Sequence, residues 1–273
     1  MRTAQSDALS RFQRDHEALC EGGRQRARRV HPQRGRGLAH RGPYRGGGAS
    51  KSDTIAGREA NHKIHAIIQG EFPNDGWLSE ETVDSPARLS CRRVWVVDPM
   101  DGTKEFIQKV PELAVSIALV EDGSPVVGVA YNPIQDQLFW AVRGHGAWHD
   151  AHRLHVSQST QLRGATILAS RSETQRGEWK KFSSQFRIQQ TGSAAYKMAL
   201  IATGDADATF TLVPKNEWDI CAGVLLIEEA GGTVSHLDGQ PLRFNQAKTL
   251  LQGLVASNGR LHPHLLQLIA QRR

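Results

Sequence analysis

The chain has 273 residues, 39% hydrophobic and 6% aromatic, enough for one large domain or two small ones around a core. Its formal charge of +6 would by itself point to a polyanion, but residues 1–50 hold eleven Arg and no Lys against four acids, while residues 51–273 hold twenty-three bases against twenty-four acids. The positive excess belongs to the N-terminal fifth, which argues against a basic nucleic-acid-binding body. Three scattered cysteines, Cys20, Cys91 and Cys221, exclude a disulfide framework and a thiolate zinc site, so a reduced, cytoplasmic setting is expected. Asp7, Arg11, Arg14, Asp15 and Glu17 occupy the place of a signal peptide's apolar run, and no stretch is long and apolar enough to span a bilayer; no membrane partner is expected.

In chain order, residues 22–50 contain eight Gly and eight Arg and read as an arm too poor in large apolar side chains to offset the entropy of ordering. GGGASKS at its end departs from a phosphate loop, because Ser50 stands before Lys51 where glycine is needed and no strand precedes it. Ile55, Ala60, Ile64, Ile67 and Ile68 then recur at helical spacing up to the breaker FPNDG. VWVVD (94–98) reads as a buried strand ending in an acid, and LAVSIALV, PVVGVAYN and QLFWAVRG (113–144) as an antiparallel meander. His145, His149, His152 and His155 crowd together, but the polar–apolar alternation around them favours a hairpin over a metal site. ATILAS (165–170) reads as a strand, and SAAYKMALIATG (193–204) and ICAGVLLIEEAGG (220–232) as helices stopped by glycine, an α/β alternation. The expected organisation is an arm over 1–50, an α+β metal-binding subdomain over 51–155 and an α/β subdomain over 156–273.

The informative residues are acids at the ends of apolar segments: Glu80 and Glu81 after GWLS, Asp98 and Asp101 in DPMDGT, and Asp219 before ICAGVLLIEEAGG. Pro99 stiffens the turn, and Gly102-Thr103 can open a helix whose free N–H groups suit an anion. Hard divalent cations want carboxylate and carbonyl oxygens, and Mg²⁺ commonly joins a few carboxylates to a substrate phosphate. Taken singly, DPMDG is an Asp-Pro turn and Asp219 an N-cap; the three clusters together point to metal.

LSEE (78–81), WVVDPMDGTKEF (95–106), NEWDICAG (216–223) and EEAGG (228–232) resemble, in order and spacing, the signatures of the inositol monophosphatase superfamily of Mg²⁺-dependent phosphomonoesterases. The resemblance covers about residues 51–270 and implies a layered αβαβα sandwich of the sugar-phosphatase type. It also implies two or three Mg²⁺ ions, with Glu80, Asp98, Asp101 and Asp219 as carboxylate ligands, a carbonyl ligand from Met100, and Thr103 adding its hydroxyl. The metals of such a site neutralise the phosphate, activate a water for in-line attack and stabilise the leaving alkoxide, while Gly102 and Thr103 lend N–H groups to the phosphate. One departure stands out: the family's Thr-x-x-Asp signature, whose Asp orients the attacking water with the motif threonine, reads here Thr54-Ile55-Ala56-Gly57. The family's first helix and hairpin are also hard to see in residues 1–50, so an altered N-terminus and weak or absent turnover, a phosphate-binding pseudoenzyme, are expected alternatives.

For the substrate, Lys104 and Glu105 in DGTKEF and Glu217 in NEWD look most like the bacterial CysQ-type 3'(2'),5'-bisphosphate nucleotidases, which act on adenosine 3',5'-bisphosphate from sulfate assimilation. GSAAYK resembles that group's Gly-Ser segment, making Gly192, Ser193 and Lys197 substrate-binding candidates beside Asp219. Inositol phosphatases carry an acid about seven residues before the WD aspartate, where Thr211, Leu212 and Val213 stand here. Trp218 and Cys221 are expected in the core. The expected partner is a small phosphate ester, with no nucleic acid and with a homodimer left open.

Overall fold

The computed structural model describes residues 54–182 and 184–272; the Arg/Gly-rich arm, the GGGASKS stretch and Cys20 lie outside the described residues. Helix α1 (Ile55–Glu71) starts where the Thr54 hydroxyl caps the backbone N–H of Gly57, and stops at Phe72 before the expected turn. Strand β1 (Gly76–Ser79) pairs in parallel with β2 (Arg93–Asp101), so both strands point their C-terminal ends the same way. After the short helix α2 (Thr103–Ile107), the chain runs through β3 (Ala114–Glu121), β4 (Ser124–Asn132), β5 (Gln137–Val142), β6 (Ala147–His149) and β7 (His152–Arg153). These make the expected antiparallel meander, extended into a seven-stranded sheet in the order β1 to β7.

The second half continues with β8 (Thr166–Ala169), α3 (Arg171–Gln175), β9 (Arg187–Gln190), α4 (Ala194–Ala202), β10 (Ala208–Thr211), β11 (Lys215–Asn216) and α5 (Glu217–Glu229). It closes with β12 (Thr233–Ser235), β13 (Leu250–Leu251), β14 (Leu254–Ser257) and α6 (His262–Ala270). A five-stranded sheet has the order β12-β14-β10-β8-β9, and β11 pairs with β13 in a separate ribbon.

Helix α1 packs on one face of the seven-stranded sheet, α4 and α5 pack on each other against its opposite face, and both also meet the five-stranded sheet, whose β14 carries α6. The layers are therefore α/β/α/β/α, as expected for the sandwich. Strand alternation explains how the second sheet serves two cores: Leu168, Leu254 and Ala256 face α4 and α5, while Ile167 and Val255 face the outer cluster with Leu265 and Ile269. Helix α5 is apolar around most of its circumference because it is covered on several sides, with Ile220 to Ile227 all buried. It meets the seven-stranded sheet closely at Gly128 of β4, where an added Cβ would sit 2.8 Å from the carbonyl oxygen of Ala222.

Candidate active site

The parallel pairing of β1 and β2 brings two acids to one end of the sheet: Glu80 directly follows β1, held by its N–H to the Val97 carbonyl at 3.2 Å, and Asp98 lies near the end of β2. Helix α5 supplies the third acid. Ligand oxygens of Glu80, Asp98 and Asp219 lie within 4.8 Å of one another, the one group of metal-ligating side chains of this kind among the described residues. Asp98 is 1% exposed and Asp219 8%. Burial, followed by the charges of Asp101, Glu80 and Asp219, holds the Asp98 carboxyl well above the usual carboxylate range. Three converging carboxylates, two of them buried, are a donor set fitted to a hard divalent cation, whose charge would offset their mutual repulsion.

The turn between β2 and α2 is set by local bonds. The Met100 N–H donates to Asp98 Oδ1 at 2.9 Å, and the Thr103 hydroxyl donates to the Met100 carbonyl at 3.2 Å, so the expected carbonyl and hydroxyl ligands sit together. Gly102 caps α2 with φ 104°, a left-handed conformation, and a Cβ there would lie 3.0 Å from the Glu112 carbonyl oxygen. Asp101 is placed differently from its three partners: its Oδ2 accepts from the Ser193 hydroxyl at 2.6 Å and the Ala195 N–H at 2.7 Å. Through Asp101 the metal turn is tied to the Gly-Ser segment that opens α4.

That segment is held by Glu112 and Arg171, which carry no signal in the sequence, and by Glu105. Gly192 donates its N–H to Glu112 at 2.7 Å, Glu112 is in turn gripped by both arms of Arg171, and Glu105 packs against Gly192 so closely that a Cβ would come within 2.3 Å of its Cγ. Ser193 takes φ 51° and accepts from the Tyr196 N–H. Lys197 is 5% exposed; burial, then the charge of Lys215, lowers its ammonium to about 8, while Glu173, Asp101 and Glu105 pull the other way. A solvated helix lysine is thereby excluded.

Several expectations are corrected. Asp219 does not precede α5: it is the third helical residue, Asn216 is the cap, and Asp219 Oδ2 accepts from the Asn216 N–H at 3.0 Å, so capping and metal geometry use one carboxylate. Glu217, suggestive of substrate specificity in NEWD, is fully buried, with its carboxylate accepting from the N–H groups of Asn245 and Gln246. The histidine-rich stretch forms the expected β6–β7 hairpin, with His149 opposite His152 and stacked on Phe139. Trp218 packs against the main core with its indole N–H buried and unpaired, and Cys221 is a free, fully buried thiol. Gly57 is buried in the first turn of α1, and a Cβ there would lie 3.0 Å from Glu81 Oε1 and 3.2 Å from Thr54 Oγ1; the Glu81 carboxylate fills that space.

An α/β/α/β/α sandwich with a carboxylate cradle at the sheet ends and an adjoining helix start defines a metal-dependent phosphatase-type architecture. The inositol monophosphatase family model matches residues 27–273, so the chain belongs to that family, and the match reaches into the Arg/Gly-rich stretch rather than beginning at residue 51. An inositol-1-monophosphatase from Mesorhizobium japonicum is 38% identical over 67% of this chain and 71% of its own. Nus factor SuhB from Salmonella typhimurium is 40% identical over 70% of this chain and 74% of its own. The solved inositol monophosphatase from Anabaena superposes with a TM-score of 0.72 at 29% identity, covering 79% of this chain and 86% of that one.

Proposed function

We propose that the protein is a Mg²⁺-dependent phosphomonoesterase acting on a small phosphate ester. The observation that carries this reading is the convergence of Glu80, Asp98 and Asp219 within 4.8 Å beside the Gly102-Thr103 helix start. Those three carboxylates, with Asp101, the Met100 carbonyl and the Thr103 hydroxyl at hand, would hold the metal. When bound, Mg²⁺ supplies charge neutralisation at the phosphate and acidifies coordinated water. The chain's own contribution is to fix these donors: Met100 orients Asp98, Asn216 orients Asp219, and Ser193 and Ala195 orient Asp101.

For the substrate, adenosine 3',5'-bisphosphate is supported by the CysQ-like DGTKEF and GSAAYK segments and by the absence of an acid at Thr211, Leu212 and Val213. Inositol 1-phosphate is the second reading, favoured by relatives that carry the name inositol-1-monophosphatase. The test is Mg²⁺-dependent phosphate release from adenosine 3',5'-bisphosphate, inositol 1-phosphate and fructose 1,6-bisphosphate, with Asp98→Asn as the control. Turnover of one ester that Asp98→Asn abolishes supports the reading, whereas no turnover of any, with Asp98→Asn indistinguishable from the parent, sinks it. Gly57→Asp belongs in the same assay. Glu81 presents only the end of a flexible side chain to the new group, so the variant is expected to fold and to raise the rate tenfold or more; no gain would remove Gly57 as a brake on turnover.

A further inference from the structure

The carboxylate cluster spans two layers, with Glu80 and Asp98 on the seven-stranded sheet and Asp219 on the first turn of α5, so its geometry needs that turn held against the sheet. Two buried charges outside the cluster lie across this junction. Arg88, 2% exposed, belongs to the short 3₁₀ turn Pro86–Ser90 that follows β1, and its Cβ lies 3.2 Å from where a Cβ on Gly76 would stand, so it rests on the start of β1. Its guanidinium is nearly saturated. Nε and Nη2 donate to the two Asp84 oxygens at 2.7 and 2.8 Å, Nη1 donates to Asn245 Oδ1 at 2.7 Å, and Nη2 also donates to the Gln246 carbonyl at 3.0 Å. Asn245 returns a bond from its Nδ2 to the Arg88 carbonyl at 3.2 Å. Glu217, the fully buried first residue of α5, grips the same two loop residues: one carboxylate oxygen accepts the Asn245 N–H at 2.7 Å and the other the Gln246 N–H at 2.8 Å. Between these two charges Asn245 is held at φ 59°, in the left-handed region.

We propose that Arg88 and Glu217 are positioning residues for the metal site: through Asn245 and Gln246 they clamp the first turn of α5 to the sheet and so set where Asp219 stands relative to Glu80 and Asp98. This rests on the metal-dependent phosphomonoesterase reading and adds to it two residues outside the ligand set. Asp219 lies two residues beyond Glu217 and three before Ala222, where α5 meets Gly128, so along the helix axis it sits about 3 and 4.5 Å from two anchored points. With the Glu217 end released, the tilt of that turn is less constrained. A buried charge network seldom stabilises a fold more than well-packed apolar residues would, so what this one contributes is a single geometry.

The experiment is calorimetric titration of Mg²⁺ into the full-length protein freed of metal with EDTA, at a temperature where far-UV circular dichroism shows each variant folded. Arg88→Met and Glu217→Gln are each expected to weaken Mg²⁺ binding roughly fivefold or more, and the double variant no more than about twofold beyond the more damaging single, because both act through one loop. Phe186→Leu, in the outer cluster beside Phe182 and Phe210, lowers the melting temperature without touching the clamp and is expected to keep the parent's affinity. Asn245→Gly tolerates the left-handed backbone and leaves both buried charges in place while removing the side-chain bonds to Arg88. It should weaken binding about threefold, and it decides the matter should Arg88→Met or Glu217→Gln fail to fold. Variants that melt lower yet bind Mg²⁺ as the parent does, an equal loss in Phe186→Leu, or losses that multiply in the double variant overturn the clamp. A parent that takes up no Mg²⁺ overturns the metal reading and the clamp with it, so the parent's own titration tells the two failures apart.

Discussion

Asp98 carries two conflicting demands. It lies buried near the end of β2, where an ionised carboxylate is costly, and it faces three further acids, so burial and then their charges hold its carboxyl well above the usual carboxylate range. Asparagine keeps the shape of the protonated acid and still offers an oxygen to the Met100 N–H. Asp98→Asn is therefore expected to melt a few degrees higher than the parent in EDTA and to gain nothing from Mg²⁺, while the parent gains several degrees as free metal exceeds its dissociation constant. Differential scanning calorimetry with and without Mg²⁺ checks this, and a variant that still responds to metal as the parent does would remove Asp98 from the metal set. At this scale the sequence was most readable, because the donor turn is local: DPMDGT carries its own proline, its own Asx-type bond and its own glycine cap. Residues that act over long separations left no such signal, and Glu112, which secures Gly192 from 80 positions away, could be found only in the fold.

Helix α4 shows how an element's pattern can be read correctly while the fate of one side chain is not. Its apolar repeat made the helix legible, but a lysine in the middle of SAAYKMALIATG reads equally as solvated or enclosed, and which one holds depends on α5 and β10 packing over it. Enclosure has a measurable consequence. The folded-state ammonium titrates near 8 against 10.5 unfolded, so between those values the unfolded chain binds more protons and stability rises with pH. At roughly 1.4 kcal/mol per pH unit, the buried charge costs about 3 kcal/mol below pH 8. Lys197→Met is expected to be more stable than the parent at pH 7 and to lose that advantage as the pH is raised from 8 to 10.5. Urea denaturation of both proteins across that range checks it, and a stability difference that does not vary with pH would show that Lys197 is solvated.

Across the whole molecule, the site depends on the distance between two layers, since Glu80 and Asp98 ride on the seven-stranded sheet and Asp219 rides on α5. Composition and periodicity made the layers predictable as strands and helices, but the four-residue β1 and its parallel pairing with β2 carry too few residues for a periodic signal. The spacing itself is set where Gly128 meets the Ala222 backbone, an approach of 2.8 Å for any added Cβ to the carbonyl oxygen and 3.2 Å to the Cα. Neither atom belongs to a flexible side chain, so Gly128→Ala has to move α5 away from the sheet and carry Asp219 with it. Overpacking of this kind costs about 1–3 kcal/mol. Gly70→Ala is the matched control, because nothing lies within 4 Å of a Cβ there and α1 should gain up to about 1 kcal/mol from the better helix former. Gly128→Ala is thus expected to lower the melting temperature and also to weaken the stabilisation conferred by Mg²⁺, whereas Gly70→Ala leaves the metal response intact. If Gly128→Ala melts lower but binds Mg²⁺ as the parent does, the layer spacing supports the fold without setting the metal geometry.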